Sequence, residues 1–247
     1  MASAKPVALP PYTGTRIDRI GVVVPVKNEE QTLARCLDGL EVAASRVAMP
    51  VTVIVVLDAC TDNSASVAAG FHAGGVRAIT IEANNVGCAR AAGMTELLTR
   101  HGASGTWLAT TDGDSVVPER WLAAHLRHAE NGARVVAGTV AVQDWEDRSS
   151  AVRDRARLDY RARRPHHIHG ANLSFAATAY TAAGGFKPVA CNEDVQLVDA
   201  FRANAEPIAW ATDIPVVTSA RRHGRAPWGF AGYLSSLEDS LQAGVES

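Results

Sequence analysis

The chain has 247 residues, 47% hydrophobic and 20% charged, with 24 Lys and Arg against 26 Asp and Glu for a formal net charge of −2. That length buries one large core, the composition is globular, and the charge balance provides no global field for nucleic acid or a membrane surface. Cys36, Cys60, Cys88 and Cys191 show no paired metal or redox spacing and read as reduced thiols of a cytoplasmic protein. The N-terminus, interrupted by Pro10 and Pro11, does not read as a signal peptide. No run reaches membrane-spanning length. Residues 1–18 are expected to form a loosely held arm.

From residue 19 onward, short β-branched runs alternate with amphipathic, Ala-rich stretches, the pattern of a parallel sheet with crossover helices. Residues 20–25 make the first predicted strand. Asn28 is expected to cap a helix with acids in its first turn and Leu33, Cys36, Leu37 and Leu40 on one face. Residues 51–57 read as a central strand, and Asp62 and Ser64 open the next helix. Strands over 76–82 and 106–111 flank a helix near 86–100, and Pro118 suits the first position of a helix over 119–131. Beyond residue 132 the order changes, with a strand over 134–143, a helix over 149–164 and a strand over 168–175. The fold class is α/β: one domain with a mixed, mostly parallel central sheet flanked by helices. A Rossmann-like nucleotide-binding half covers 19–131 and an acceptor-binding half 132–247.

The residues that carry chemistry cluster at predicted strand ends. In Thr111-Asp-Gly-Asp-Ser115, Asp112 and Asp114 are two apart in an extended chain and converge on one side, with Gly113 leaving room for a ligand. Hard divalent cations take such oxygen ligands and complete their shell with substrate phosphates, although Asp-x-Asp also occurs in solvated turns. Pro25-Val-Lys-Asn-Glu-Glu30 closes the first strand and Leu57-Asp-Ala-Cys-Thr-Asp-Asn-Ser64 the second, where Asp58 is a candidate acceptor for a base or ribose. The segment from Asn84 to Gly93 brings Gly87 and Arg90 to a helix start suited to phosphate. Glu193 and Asp194 sit at another helix start.

Taken in order, the Pro-Val-Lys-Asn-Glu opening, the Asp58 turn, Asn85-x-Gly-x-x-Arg90, the Asp-x-Asp pair, His169-Gly-Ala-Asn-Leu-Ser174 and Glu193-Asp194 resemble the family-2 glycosyltransferases of GT-A fold over nearly all of residues 20–235. The resemblance implies an inverting transfer from a nucleoside-diphosphate sugar, a UDP- or GDP-sugar, with Mn²⁺ or Mg²⁺ as cofactor. Asp114 would ligate the metal, with Asp112 near the ribose or a metal-bound water. Asp58 would contact the base and Arg90 help to hold the donor, beside Pro25, Lys27, Glu29, Asn85, Gly87 and Gly113. Asp194 would be the general base. Glu193 reads either as a residue that orients Asp194 or shares its proton, or as a helix-start acid favoured by the macrodipole. His169, Gly170 and Asn172 fall on the acceptor side. Leu57 stands where the family often has a first acid, and Ser219-Ala-Arg-Arg-His-Gly-Arg225 replaces the Gln-x-x-Arg-Trp signature of processive synthases.

His223 reads either as a third metal ligand or as a solvated loop imidazole. Arg222 and Arg225 are expected at the diphosphate, against a solvated charge run. Pro165-His-His-Ile-His169 lacks a local acid or Cys to finish a zinc site and reads as a loop near the acceptor. Arg153, Arg157, Arg161 and Arg164 line one face of the 149–164 helix, off which Asp154 and Asp159 are expected to lie, so the acceptor is expected to be anionic unless that face is only solvated. A nucleotidyltransferase is the rival enzyme, but residues 26–30 contain no glycine to wrap a triphosphate. A non-catalytic nucleotide-sugar binder is the rival from another class.

Overall fold

The structure is a computed structural model. It describes residues 16–143, 145, 148–162, 167–219, 234 and 236–240, with the backbone only at 161 and 162. The Val- and Ile-rich runs form β1 (Arg19–Val26), β2 (Val51–Asp58), β3 (Val76–Ile81) and β4 (Thr106–Thr110), almost continuously buried in β1, β2 and β4. Continuous burial is what strands covered by helices on both faces require. Between them run α1 (Leu33–Ser45), α2 (Ser64–Ala69) and α3 (Val86–His101), followed by α4 (Trp121–Glu130). The second half contributes β5 (Val135–Val142), α5 (Ser150–Ala162), β6 (Leu173–Ala176), α6 (Ala177–Ala182), α7 (Glu193–Ala203) and β7 (Ile208–Thr218).

All seven strands share one sheet in the order β3-β2-β1-β4-β6-β5-β7. β1 is parallel to β2 and β4, and β2 to β3. β6 is antiparallel to both β4 and β5, and β5 is parallel to β7. This is the mixed, mostly parallel sheet expected. Core packing is dominated by large side chains with no exposed surface, including Trp107, Trp121, Phe175 and Phe201; truncating one such aromatic costs about 3–5 kcal/mol.

Several local expectations are corrected. Asn28 does not cap α1: it adopts φ +55°, its side chain accepts from the Thr61 amide at 2.7 Å, and α1 begins after Thr32 with no acid in its first turn. Glu30 instead accepts from the Asn63 amide at 2.9 Å, while the Glu30 amide donates to Asp62 at 2.9 Å, tying the β1 and β2 loops together. The strand expected over 168–175 is only Leu173–Ala176, because Gly170–Asn172 is a 3₁₀ turn. β7 was not expected, since Asp213 and Pro215 interrupt its apolar run; as an edge strand it tolerates proline. The short helix α6 was likewise not expected. At the N-terminal side, Ile17 packs on the core and the Asp18 amide donates to Gly105 O at 2.9 Å, so the expected arm is anchored by residue 18.

Candidate functional site

Strand order reverses between the parallel neighbours β1 and β4, and open α/β sheets place their ligand crevice at the carboxyl ends beside such a switch point. The Thr111 amide extends the ladder to Val23 O at 3.3 Å, which sets Asp112, Gly113 and Asp114 beside the end of β1. Gly113 is packed closely: a Cβ there would lie 3.1 Å from Val26 and 3.2 Å from Glu29. Asp112 and Asp114 are half-buried, and Asp114 Oδ1 lies 3.3 Å from Ser115 Oγ. Glu29 is buried and accepts from the Thr32 hydroxyl at 2.9 Å. Burial, followed by the charges of Asp114, Asp112 and Glu29, pushes the Cys36 thiol far above its ordinary range. The three carboxylates add to the effect of burial.

Arg90 is the buried counter-charge. Its side chain is 3% exposed; Nη2 donates to Asp112 Oδ1 at 2.5 Å, Nη1 pairs with Glu193, and Nε donates to Thr110 Oγ1 at 3.3 Å. Burial opposes its charge, but Asp112, Glu193 and Asp194 more than offset this and hold the guanidinium protonated. Burial raises Glu193 above the usual carboxylate range, against the pull of Arg90. Next to it, half-buried Asp194 accepts from the Gly170 amide at 2.7 Å through Oδ2 and from the Val195 amide at 2.8 Å through Oδ1.

Other expected site residues have different surroundings. Asp58, only 3% exposed, accepts from the amides of Ala83 and Asn84 at 2.8 Å and of Asn85 at 2.7 Å. It holds the loop before α3 through three of the about four acceptor sites of its carboxylate. Asn85 caps α3, accepting from Cys88 N at 2.9 Å, and its Nδ2 donates to Val189 O at 2.9 Å. A Cβ on Gly87 would lie 2.2 Å from Lys187 O, so the start of α3 is covered by chain instead of open to phosphate. Lys27, near the exposed rim, donates to Asn84 Oδ1 at 2.5 Å, and Pro25 O faces Gly113.

Asn172, expected at the acceptor, has no exposed surface. Its Oδ1 accepts from Trp121 Nε1 at 2.8 Å and His125 Nε2 at 3.1 Å, and its Nδ2 donates to Thr139 O and Ile214 O. It fastens the sheet instead. The sequence reading missed His125, whose other nitrogen meets Ser174 Oγ at 2.5 Å and whose burial drives its pKa down to about 3. His169 does lie beside the acidic site. Burial, then the neighbouring His167, lowers it to about 4, and its Nε2 is 3.2 Å from the Tyr160 hydroxyl.

On α5, Asp154 lies 3.8 Å from Arg153 and 4.0 Å from Arg157, correcting the expectation that it leaves the stripe unneutralised; Asp159 pairs with Arg155 at 3.0 Å. The Arg161 side chain, Arg164 and His166 lie outside the described residues, as do Arg222, His223 and Arg225. The chain enters that last segment from Thr218, whose hydroxyl is 3.0 Å from Ser115 Oγ.

Among the described residues, no three His, Cys, Asp or Glu side chains are grouped to hold a metal by themselves. Asp112 and Asp114 nonetheless fit a hard divalent cation that takes further oxygens from a diphosphate. Both are half-buried hard-oxygen donors on one short loop at the end of β4. No described helix is long and apolar enough to cross a membrane.

The fold is that of GT-A glycosyltransferases. The chain is similar to the mannosyltransferase PcManGT from Pyrobaculum calidifontis in complex with GDP-Man and Mn²⁺ (TM-score 0.68, 21% identity, 91% of this chain and 63% of that one). It is also similar to S. aureus TarS 1–349 in complex with UDP-GlcNAc (TM-score 0.64, 11% identity, 85% and 61%). A third neighbour is the Mycobacterium tuberculosis glucosyl-3-phosphoglycerate synthase in complex with Mn²⁺, UDP and phosphoglyceric acid (TM-score 0.56, 19% identity, 90% and 78%). The chain thus spans about three fifths of the first two proteins. No curated protein sequence matches it. The family description "Glycosyl transferase family 2" matches residues 21–186, well over half of the sequence and every motif from the β1 end through the Asp-x-Asp pair to Gly170, and the chain belongs to that family.

Proposed function

We propose that this protein is an inverting, divalent-metal-dependent hexosyltransferase that moves a sugar from a UDP- or GDP-sugar to an acceptor hydroxyl. The observation that carries the reading is the joining of Asp112, beside Asp114 at the switch point, through buried Arg90 to the Glu193-Asp194 pair. Bound Mn²⁺ or Mg²⁺ would be held by Asp114 and Asp112, and by His223 if it reaches them, and would supply charge stabilisation to the departing diphosphate. GDP-Man with Mn²⁺, and UDP with Mn²⁺, in two of the neighbours support the donor class and the cation.

Asp194 is assigned as the base. Two backbone amides, of Gly170 and Val195, donate to its carboxylate and fix its orientation. It takes the proton of the acceptor hydroxyl as that oxygen bonds to the anomeric carbon and the bond to the diphosphate breaks, inverting the configuration. Lys27, and Arg222 and Arg225 from the segment that begins beside Ser115, are assigned to the donor, Pro25, Glu29 and Gly113 to the crevice wall. His169 and Gly170 border the acceptor.

The acceptor is assigned as anionic, with Arg157 and Arg161 of α5 as its candidate contacts. Arg157 is 56% exposed and lies 4.0 Å from Asp154 Oδ1. Phosphoglyceric acid in the synthase neighbour supports this class. Four unpaired cysteines suit a cytoplasmic, reducing location. The test is release of UDP or GDP from candidate nucleotide sugars with Mn²⁺, with NMR of the product's anomeric centre. Retained configuration, or equal turnover in excess chelator, overturns the reading.

A further inference from the structure

We propose that Arg90 is a positioning residue that sets the base-bearing start of α7 against the donor-side loop, and that residue 170 is glycine so that its guanidinium can pass. The proposal rests on the assignments of Asp112 to the donor side and Asp194 to the base. Arg90 contacts three separate elements: Thr110 at the end of β4, Asp112 in the following loop, and Glu193, the first residue of α7 and 103 positions away in sequence. A planar fork with fixed donor directions holds three such partners in one mutual register, which a single ammonium cannot do. An arginine serving the donor directly would present its N–H groups to the crevice. Here the side chain is 3% exposed, and its Cζ sits 5.8 Å from the centre of the Phe186 ring.

Gly170 connects this strut to the base. A Cβ at residue 170 would lie 2.3 Å from Arg90 Nη2, 2.5 Å from Cζ and 2.7 Å from Nη1, so the guanidinium would have to shift away from the three partners that hold it. The same residue donates its amide to Asp194 Oδ2 at 2.7 Å. The guanidinium therefore packs against one of the two backbone units that aim the carboxylate. Displacing either Arg90 or Gly170 moves Asp194 relative to Asp112 without removing a reacting group, and misplacement by about 1 Å costs turnover on the order of 10²-fold.

The experiment compares the 247-residue chain with Arg90→Lys, Gly170→Ala and Glu193→Gln. Three quantities are read: calorimetric affinity for UDP and GDP with Mn²⁺, kcat, and amide hydrogen exchange of Gly170 and Val195 against that of Ala83 to Asn85. Arg90→Lys keeps a positive charge beside Asp112, so the nucleotide Kd should stay within about 3-fold while kcat falls at least about 10-fold. Gly170→Ala should reproduce that split with Arg90 intact, and Arg90→Lys combined with Glu193→Gln should lose no more kcat than the worse single variant. Exchange of the Gly170 and Val195 amides should accelerate at least about 10-fold in Arg90→Lys, with Ala83 to Asn85 unchanged. A 10-fold loss of nucleotide affinity with kcat retained would make Arg90 a donor contact and overturn the proposal, as would normal exchange and kcat in Gly170→Ala. Where Arg90→Lys does not fold, Gly170→Ala and Glu193→Gln decide. The exchange readout needs neither donor nor turnover, so failure of the wild-type chain to bind any nucleotide would defeat the glycosyltransferase reading and leave the strut decided separately.

Discussion

The Gly170 amide donates to Asp194 Oδ2 at 2.7 Å while the Val195 amide holds Oδ1, so the carboxylate assigned as base is oriented from both sides by backbone. Asp194→Asn keeps the size and an acceptor oxygen but removes the proton-accepting charge. Turnover should fall by about 10²-fold or more with the nucleotide Kd unchanged. Steady-state kinetics beside calorimetry checks this, and a variant with normal kcat would remove Asp194 from the mechanism.

Asp114 is half-buried in the loop after β4, two residues from Asp112. Asp114→Ala should abolish the Mn²⁺-dependent part of UDP or GDP binding and leave only the metal-independent remainder. Titration calorimetry with and without Mn²⁺ measures both. Unaltered metal dependence would assign the cation elsewhere.

Acid stability should be governed by buried histidines. His125 is held neutral, its pKa lowered from 6.5 to about 3 by burial. A depressed histidine stabilises the fold fully above the unfolded value of about 6.5, and the contribution is lost as pH falls from there toward 3. His169, lowered to about 4, acts with the same sign. The His125 contribution is on the order of 5 kcal/mol in the limit. Urea unfolding midpoints should therefore drop steeply between pH 6.5 and 4, and the slope should be shallower in His125→Gln. Equal slopes would contradict the neutral assignment.

For the acceptor, changing Arg157 and Arg161 together to Gln should raise its KM several-fold and leave the donor KM nearly unchanged. The wild-type acceptor KM should rise with salt, because exposed charges are screened. The neighbouring Asp154 limits the effect. Salt-independent kinetics with a neutral acceptor would leave α5 as solvated surface.

The parallel half was legible because its strands are buried on both faces, and continuous runs such as Val51–Asp58 admit few other readings. Asp112, Asp114, Glu193 and Asp194 were legible because strand ends and helix starts are where such acids collect. Partners across the chain were not. Nothing local to Arg90 says that it meets a carboxylate 103 residues away, and nothing near Asp58 says that three amides from another loop donate to it. Asn172 was misread for the same reason: its hydrogen-bond partners come from α4, β5 and β7. Gly170 in a polar motif looks like a loop residue, and only the packed guanidinium shows why it has no side chain.

The most direct test of the central claim, that Asp112 and Asp114 form a metal-assisted nucleotide-sugar site, is the melting temperature of the wild-type chain with a panel of nucleoside diphosphates, with Mn²⁺ and with excess chelator. One of UDP and GDP at about 100 times its Kd should stabilise the fold by roughly 2.7 kcal/mol, a rise of several degrees, with Mn²⁺ present and far less in chelator. No shift with any nucleotide, or the same shift in chelator, would contradict it.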